Sequence, residues 1–201
     1  MLKNKYEIVK LNERNINSIE IIWKESLPEN LKSMIGNRLI KSYLKKFLSD
    51  KPGLGVGIFQ SNKLLGFVLF GNNDKIIRNI IKEDFFLILK SFILSFVFFN
   101  LKKINNFINC LIFIFLSKNR ETDIKRDNTE LLIICIDKQN QNKGLGSILI
   151  SESVKKYDTY FGSFKSIFVK TLKKDENNVF FYKKNKFKYV FEVFGRIYLK
   201  Y

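Results

Sequence analysis

Residues 131–136, Leu-Leu-Ile-Ile-Cys-Ile, are apolar without a polar interruption, and a polar turn carrying two glycines follows at once. A run of this kind predicts a strand covered on both faces and therefore central in its sheet. The turn ends in Gln141-Asn142-Lys143-Gly144-Leu145-Gly146, where a helical pattern takes over. A strand that feeds a glycine-containing loop and then a helix is a device for holding phosphate. Successive backbone N–H groups form a concave donor cluster, and the helix N-terminus adds the positive end of its dipole. Glycines at 144 and 146 let the backbone approach an anion with no Cβ in the way. The same pattern also fits an ordinary strand–turn–helix connection.

Two nucleotide-binding patterns fail here. No Lys-Ser or Lys-Thr follows Gly146, as a P-loop requires, and Leu149 stands where a dinucleotide fingerprint needs its third glycine. What remains is Q-x-x-G-x-G over 141–146. This resembles the acetyl-CoA-binding motif Q/R-x-x-G-x-G/A of the GNAT superfamily of N-acetyltransferases. Ile136-Asp137-Lys138 stands where that family often has Val-Asp-Pro, with Lys138 replacing the proline. A second segment, 175–187, is similar to the late GNAT helix N-x-x-A-x-x-F-Y-x-x-x-G-F. Asn178, Phe181, Tyr182 and Phe187 fall in register, with Asp175 at the usual asparagine, Asn178 at the usual alanine and Lys186 at the usual glycine. Read without the resemblance, this segment is a short amphipathic helix that buries Phe180 and Phe181.

The resemblance implies an α/β (α+β) fold: a mixed, mostly antiparallel central sheet flanked by helices on both faces. It implies one domain over 1–201 and acetyl-CoA as co-substrate, with no metal. The implied reaction moves an acetyl group to a primary amine of a small acceptor by direct attack. Main-chain groups of Ile134 and Ile136 would meet the acetyl carbonyl and pantetheine, their side chains facing the core. The loop Gln141, Asn142, Lys143, Gly144, Leu145 and Gly146 would hold the pyrophosphate. Ser147 could add a hydroxyl contact, and Asn178 a contact to the CoA arm. Tyr182 matches the family's general acid, and a phenol stays protonated at neutral pH. Glu130, at the start of the central strand, is the expected general base, directly or through water. Glu25, expected on the loop after the first helix, is better placed to bind the acceptor.

Length and composition bound these expectations. The chain has 201 residues, enough for a sizeable single core. It has no histidine, which removes Ser-His-Asp and Cys-His catalysis and leaves no typical zinc site. Cys110 and Cys135 sit in apolar runs and read as buried hydrophobes of a reduced compartment. The N-terminus alternates like a strand and lacks a signal-peptide h-region, so a cytoplasmic protein is expected. The net charge of +17 is mostly lysine spread along the chain and favours anionic ligands. No zinc-finger spacing, basic heptad helix or RNP-like motif accompanies it, so nucleic acid is not an expected partner.

Along the chain, strands are expected at 7–11, 56–60, 64–70, 131–136 and 166–170, with one or two more within 189–201. Helices are expected at 15–27, 31–48, 144–157 and 177–184. Residues 73–128 read as a helical insertion holding apolar runs at 85–101 and 107–116, flanked by lysines. Neither run has the roughly 18 to 20 uninterrupted apolar residues of a spanning helix. Segment 85–116 could pack on the core, dimerise, or lie as a peripheral anchor on a membrane. Some family members linked to bacterial surface-polysaccharide synthesis have a similar layout, which points to an amino-sugar acceptor. The contrasting readings are a non-catalytic acyl-CoA-binding or membrane-associated scaffold on the same fold, and a protein or peptide N-acetyltransferase.

Overall fold

The computed structural model of the chain describes residues 6–26, 37–49, 53–71, 128–162, 166–193 and 195–201. Strand β1 (Glu7–Lys10) leads through a 3-10 turn, Glu13–Asn15, into α1 (Ile16–Ser26). Asn12 caps that turn, its Oδ1 accepting from the Arg14 N–H. Helix α2 (Asn37–Ser49) precedes β2 (Leu54–Gln60) and β3 (Lys63–Gly71), which form a hairpin. The hairpin turns through Ser61 and Asn62, whose φ angles of 48° and 65° give it the left-handed form that matches strand twist.

Strand β4 (Asn128–Ile136) follows, then a 3-10 turn (Lys138–Asn140), α3 (Leu145–Lys156) and the short α4 (Asp158–Phe161). Strand β5 (Ser166–Leu172), helix α5 (Glu176–Lys184), β6 (Lys188–Val193) and β7 (Arg196–Lys200) complete the chain. Among the described residues the sheet runs β1-β2-β3-β4-β5-β7-β6, and of these neighbours only β4 and β5 are parallel. The expected mixed, mostly antiparallel sheet is therefore present. The expected insertion at 73–128, with its apolar runs and Cys110, lies outside the described residues except for Asn128, which opens β4.

Two cores follow from the period-two alternation of β3. Val68 and Phe70 pack with Val56, Leu131, Leu149 and Tyr182, whereas Phe67 and Leu69 pack with Ile19, Tyr43, Leu44 and Phe47. Alternate residues of one strand point to opposite faces, so α3 and α5 cover one face and α1 and α2 the other. Trp23, half-buried, meets Tyr43 edge-on at 5.5 Å and ties α1 to α2.

Three expectations are corrected in detail. Glu25 lies in the last turn of α1 rather than on the loop after it. Phe180 is 68% exposed, and Tyr182 takes the buried position on α5 instead. Strand β4 is central, yet Leu132 to Ile136 are only half-buried, because β4 loses one of its neighbours before it ends.

Helix α5 ends in a Schellman motif. The Phe187 N–H donates to the Tyr182 carbonyl at 3.1 Å and the Lys186 N–H to the Lys183 carbonyl at 3.1 Å. Phe187 and Tyr182 make the accompanying ring contact at 5.5 Å. Lys186 occupies the left-handed position of the motif, with φ of 71°. A lysine there carries a steric cost that glycine does not. Lys186→Gly should therefore raise stability by about 1 kcal/mol, measured as a higher urea midpoint at unchanged m-value.

Candidate functional site

Strands β4 and β5 pair at only three positions, Asn128–Ser166, Thr129–Ile167 and Glu130–Phe168. Beyond Glu130 they separate. The short seam is fastened by side chains at both ends. Ser166 Oγ donates to Asn128 Oδ1 at 2.6 Å, and Lys170 Nζ pairs with Glu130 Oε1 at 3.1 Å.

A bulge coincides with the parting. Ile133 pairs with Leu69 and Leu131 with Phe70, so Leu132 has no partner on β3. An extra residue bends a strand, and it also shifts the alternation. Leu131 and Ile134 pack with one core while Leu132 and Ile133 both pack with the other.

A cleft of about 550 Å³ lies between the far end of β4, the loop that follows it and α5. Ile134 and Ile136 line it, with Asn140, Gln141, Asn142, Gly144, Leu145, Gly146 and Ser147 from the loop and the start of α3. Asn177, Asn178, Phe180, Phe181 and Lys184 of α5 also line it. No carboxylate is among these residues, and Lys184 is their one cation.

The loop is fixed by its own side chains. Asn140 Nδ2 donates to Asp137 Oδ2 at 2.6 Å, and Lys143 Nζ donates to Asn140 Oδ1 at 3.1 Å. Gln141 Nε2 donates to the Ile136 carbonyl at 3.1 Å, tying the loop back to β4. Asn142 and Gly144 both have left-handed backbones, at φ of 60° and 77°. Left-handed residues within such a turn aim consecutive N–H groups into one concavity, the arrangement that binds anions. A Cβ on Gly144 would meet nothing within 4 Å, so conformation alone requires glycine there. At Gly146 space decides: a Cβ would stand 3.1 Å from the Phe181 ring.

The cleft thus gathers Ile134, Ile136, Gln141, Asn142, Gly144, Leu145, Gly146, Ser147 and Asn178 from the sequence reading. Ile134 and Ile136 pack against the core while also lining the cleft. Asn178 has its amide held by the N-cap of α5, donating to Asp175 Oδ2 at 2.6 Å. Lys143 is spent on Asn140 and is not a lining residue. Asn140, Asn177, Phe180 and Lys184 were not singled out from the sequence. Spacing could have found Asn177 and Lys184, which lie four residues before and three after Phe181 on one helical face.

Tyr182 and Glu130 are not among the lining residues either. Tyr182 is buried, edge-on to Phe181 and Phe187. Burial, with nearby Cys135 and Asp175, pushes its phenol far above the usual tyrosine range. Glu130 sits at the apex of the divergence in its pair with Lys170. Cys135 packs with the α1–α2 core, and burial pushes its thiol up to about 11, against an opposing bond from the Ser26 hydroxyl. A second open cleft, of about 720 Å³, is lined on α1 by Ser18, Ile21, Ile22 and Glu25. The hairpin turn and Asp137 to Gln139 form its other wall.

Among the described residues no group of three or more His, Cys, Asp or Glu side chains could hold a metal ion. Among them, too, no helix is long and apolar enough to cross a membrane.

The sequence matches no protein-family model and no curated protein. Solved structures share its fold. The PaiA N-acetyltransferase of Thermoplasma acidophilum, solved in complex with coenzyme A, aligns at a TM-score of 0.59 and 13% identity, over 97% of both chains. An acetyltransferase of the GNAT family from Streptococcus pneumoniae aligns at 0.54 and 15% identity, over 98% of this chain and 97% of that one. The ribosomal-protein-S18-alanine N-acetyltransferase of Escherichia coli aligns at 0.53 and 11% identity, over 97% and 90%. The fold of this chain is that of the GNAT acetyltransferases.

Two outcomes test the electrostatics. With Cys110 replaced by serine, Cys135 should react with a disulfide reagent at pH 8 about two orders of magnitude more slowly than a free thiol. Unfolding in denaturant should restore the ordinary rate. The raised Tyr182 phenol binds its proton more tightly folded than unfolded, so stability should fall as pH rises above about 10, where the unfolded phenol ionises. Tyr182→Phe should flatten that fall in a urea-midpoint series.

Proposed function

We propose that this chain, which carries the GNAT fold, is an acetyl-CoA-dependent N-acetyltransferase acting on a primary amine. The cleft between β4, its loop and α5 carries the reading. Its loop sets left-handed backbones at Asn142 and Gly144 at the start of a 12-residue helix, and no carboxylate is among its lining residues. A diphosphate seeks that chemistry. The open space over Gly144 and the small Gly146 leave room for it.

When bound, acetyl-CoA supplies the activated acetyl thioester. The protein's own residues position it and manage two protons. Main-chain groups of β4 beyond Leu131 have lost β5 as a partner, and they are free to hold the acetyl carbonyl and the pantetheine amides. Ser147, in the first turn of α3, adds a hydroxyl. Lys143 reaches the concavity only by leaving Asn140, so its contribution is charge at a distance.

Glu130 stands where the strands part, and it is the base in this reading, taking the ammonium proton of the acceptor through a water. Lys170 holds that carboxylate at the apex. As nitrogen bonds to the acetyl carbon, the carbon–sulfur bond breaks, the departing thiolate takes a proton from Tyr182, and the second proton shed by the acylated nitrogen restores the phenol. Burial keeps that phenol protonated at neutral pH until the thiolate departs. The acceptor reading is a small amine, an amino sugar being the expected class. Glu25 lines the open cleft on the α1 side, where a cationic amine would find a carboxylate.

Isothermal titration of acetyl-CoA into the purified full chain tests the reading. Micromolar binding is expected, retained in Gly144→Asn, whose side chain tolerates a left-handed backbone, and weakened at least about tenfold in Gly144→Val. Tyr182→Phe should leave that affinity unchanged and lower kcat by about 10²- to 10⁴-fold. A folded wild-type protein that binds no acetyl-CoA overturns the proposal. Binding without acetyl transfer to any amine, peptide amines included, would make the chain an acyl-CoA-binding protein instead.

A further inference from the structure

Helix α5 presents three consecutive aromatic residues to three environments. Tyr182 is buried, Phe181 is half-buried with its ring beside Gly146, and Phe180 is 68% exposed. Phe180 takes little part in packing, yet it lines the cleft. Residues three and four apart share a helical face, so Asn177, Phe180 and Lys184 form one strip on the cleft wall that faces the loop. Lys184 makes no ion pair with any described residue and is the one cation in the lining. The loop wall supplies backbone donors for a polyphosphate. The strip on α5 supplies a flat apolar ring and, one turn away, an ammonium group.

We propose that Phe180 and Lys184 form the subsite for the nucleotide end of coenzyme A, the adenine lying on the Phe180 ring and the 3′-phosphate meeting Lys184. This inference rests on the acetyl-CoA reading of the cleft. A purine ring is a π-face that an exposed aromatic side chain can stack against, at little cost in order because the ring has two torsions. A ribose phosphate is an anion, and Lys184 answers it without a competing carboxylate in the cleft. Pantetheine offers neither group, so the strip has no role toward the reacting half of the ligand. Donor selection is thereby divided: the loop and β4 read the pantetheine diphosphate, and α5 reads the nucleotide.

The test is titration calorimetry of three ligands, coenzyme A, 3′-dephospho-coenzyme A and 4′-phosphopantetheine, into wild type, Phe180→Ala, Phe180→Trp and Lys184→Gln. Phe180→Ala should weaken coenzyme A about tenfold or more and leave 4′-phosphopantetheine unchanged, and Phe180→Trp should restore the affinity. Lys184→Gln should weaken coenzyme A about threefold, leave the dephospho ligand unchanged, and reduce the salt dependence of binding. Equal affinity of wild type and Phe180→Ala for coenzyme A overturns the inference while the acetyl-CoA reading stands. Equal weakening of coenzyme A and 4′-phosphopantetheine also overturns it, since the change would then act on the whole cleft. Failure of wild type to bind coenzyme A removes both.

Discussion

The short parallel seam between β4 and β5 governs the rest of the molecule. Every other neighbour in the sheet is antiparallel, and a long parallel pairing would have closed the sheet into an unbroken surface. Three paired positions, a side-chain hydrogen bond at one end and an ion pair at the other make a seam that is firm but brief. The bulge at Leu132 then bends β4 just past the last pair. Two independent features thus act at the same place, on the strand whose far end lines the cleft. A strand that kept β5 beside it to Ile136 would have no free main-chain groups to offer a ligand.

The ion pair at that apex admits two roles that pull in different directions. Holding Lys170, Glu130 fastens the seam. As a base, it must exchange its partner for a proton during turnover. The two roles are compatible if the lysine only orients the carboxylate, since Glu130 Oε1 lies 3.1 Å and Oε2 3.5 Å from Lys170 Nζ.

Much of this was legible in the residues. The unbroken apolar run at 131–136 marked the central strand, and Gly144 and Gly146 marked the turn that follows it before the helix. The same run was misleading about coverage. Periodicity reports what a strand's side chains prefer, and it carries no sign that a neighbour departs. The bulge was equally hidden, since Leu132 looks like the residues on either side of it. On α5 the aromatic pair in the motif drew attention from Phe180, whose exposure depends on which face of the helix meets the sheet. Tyr182 stood out in the sequence by its register, and the structure buries it on α5. The strength of its burial follows from Phe181 and Phe187 closing around it, which is a tertiary fact.

The outer edges of the sheet are built differently from its middle. Strand β1 is four residues long, and Lys156, from the far end of α3, donates its Nζ to the Ile8 carbonyl. An edge strand offers a row of unsatisfied carbonyls that another chain can adopt as a template. Here a lysine takes one of them and leaves a positive charge in the path of any incoming strand. That lysine stands at the far end of the helix whose start follows the glycine loop. Neutralising Lys156 would leave the cleft's lining residues in place and remove a guard against intermolecular sheet extension.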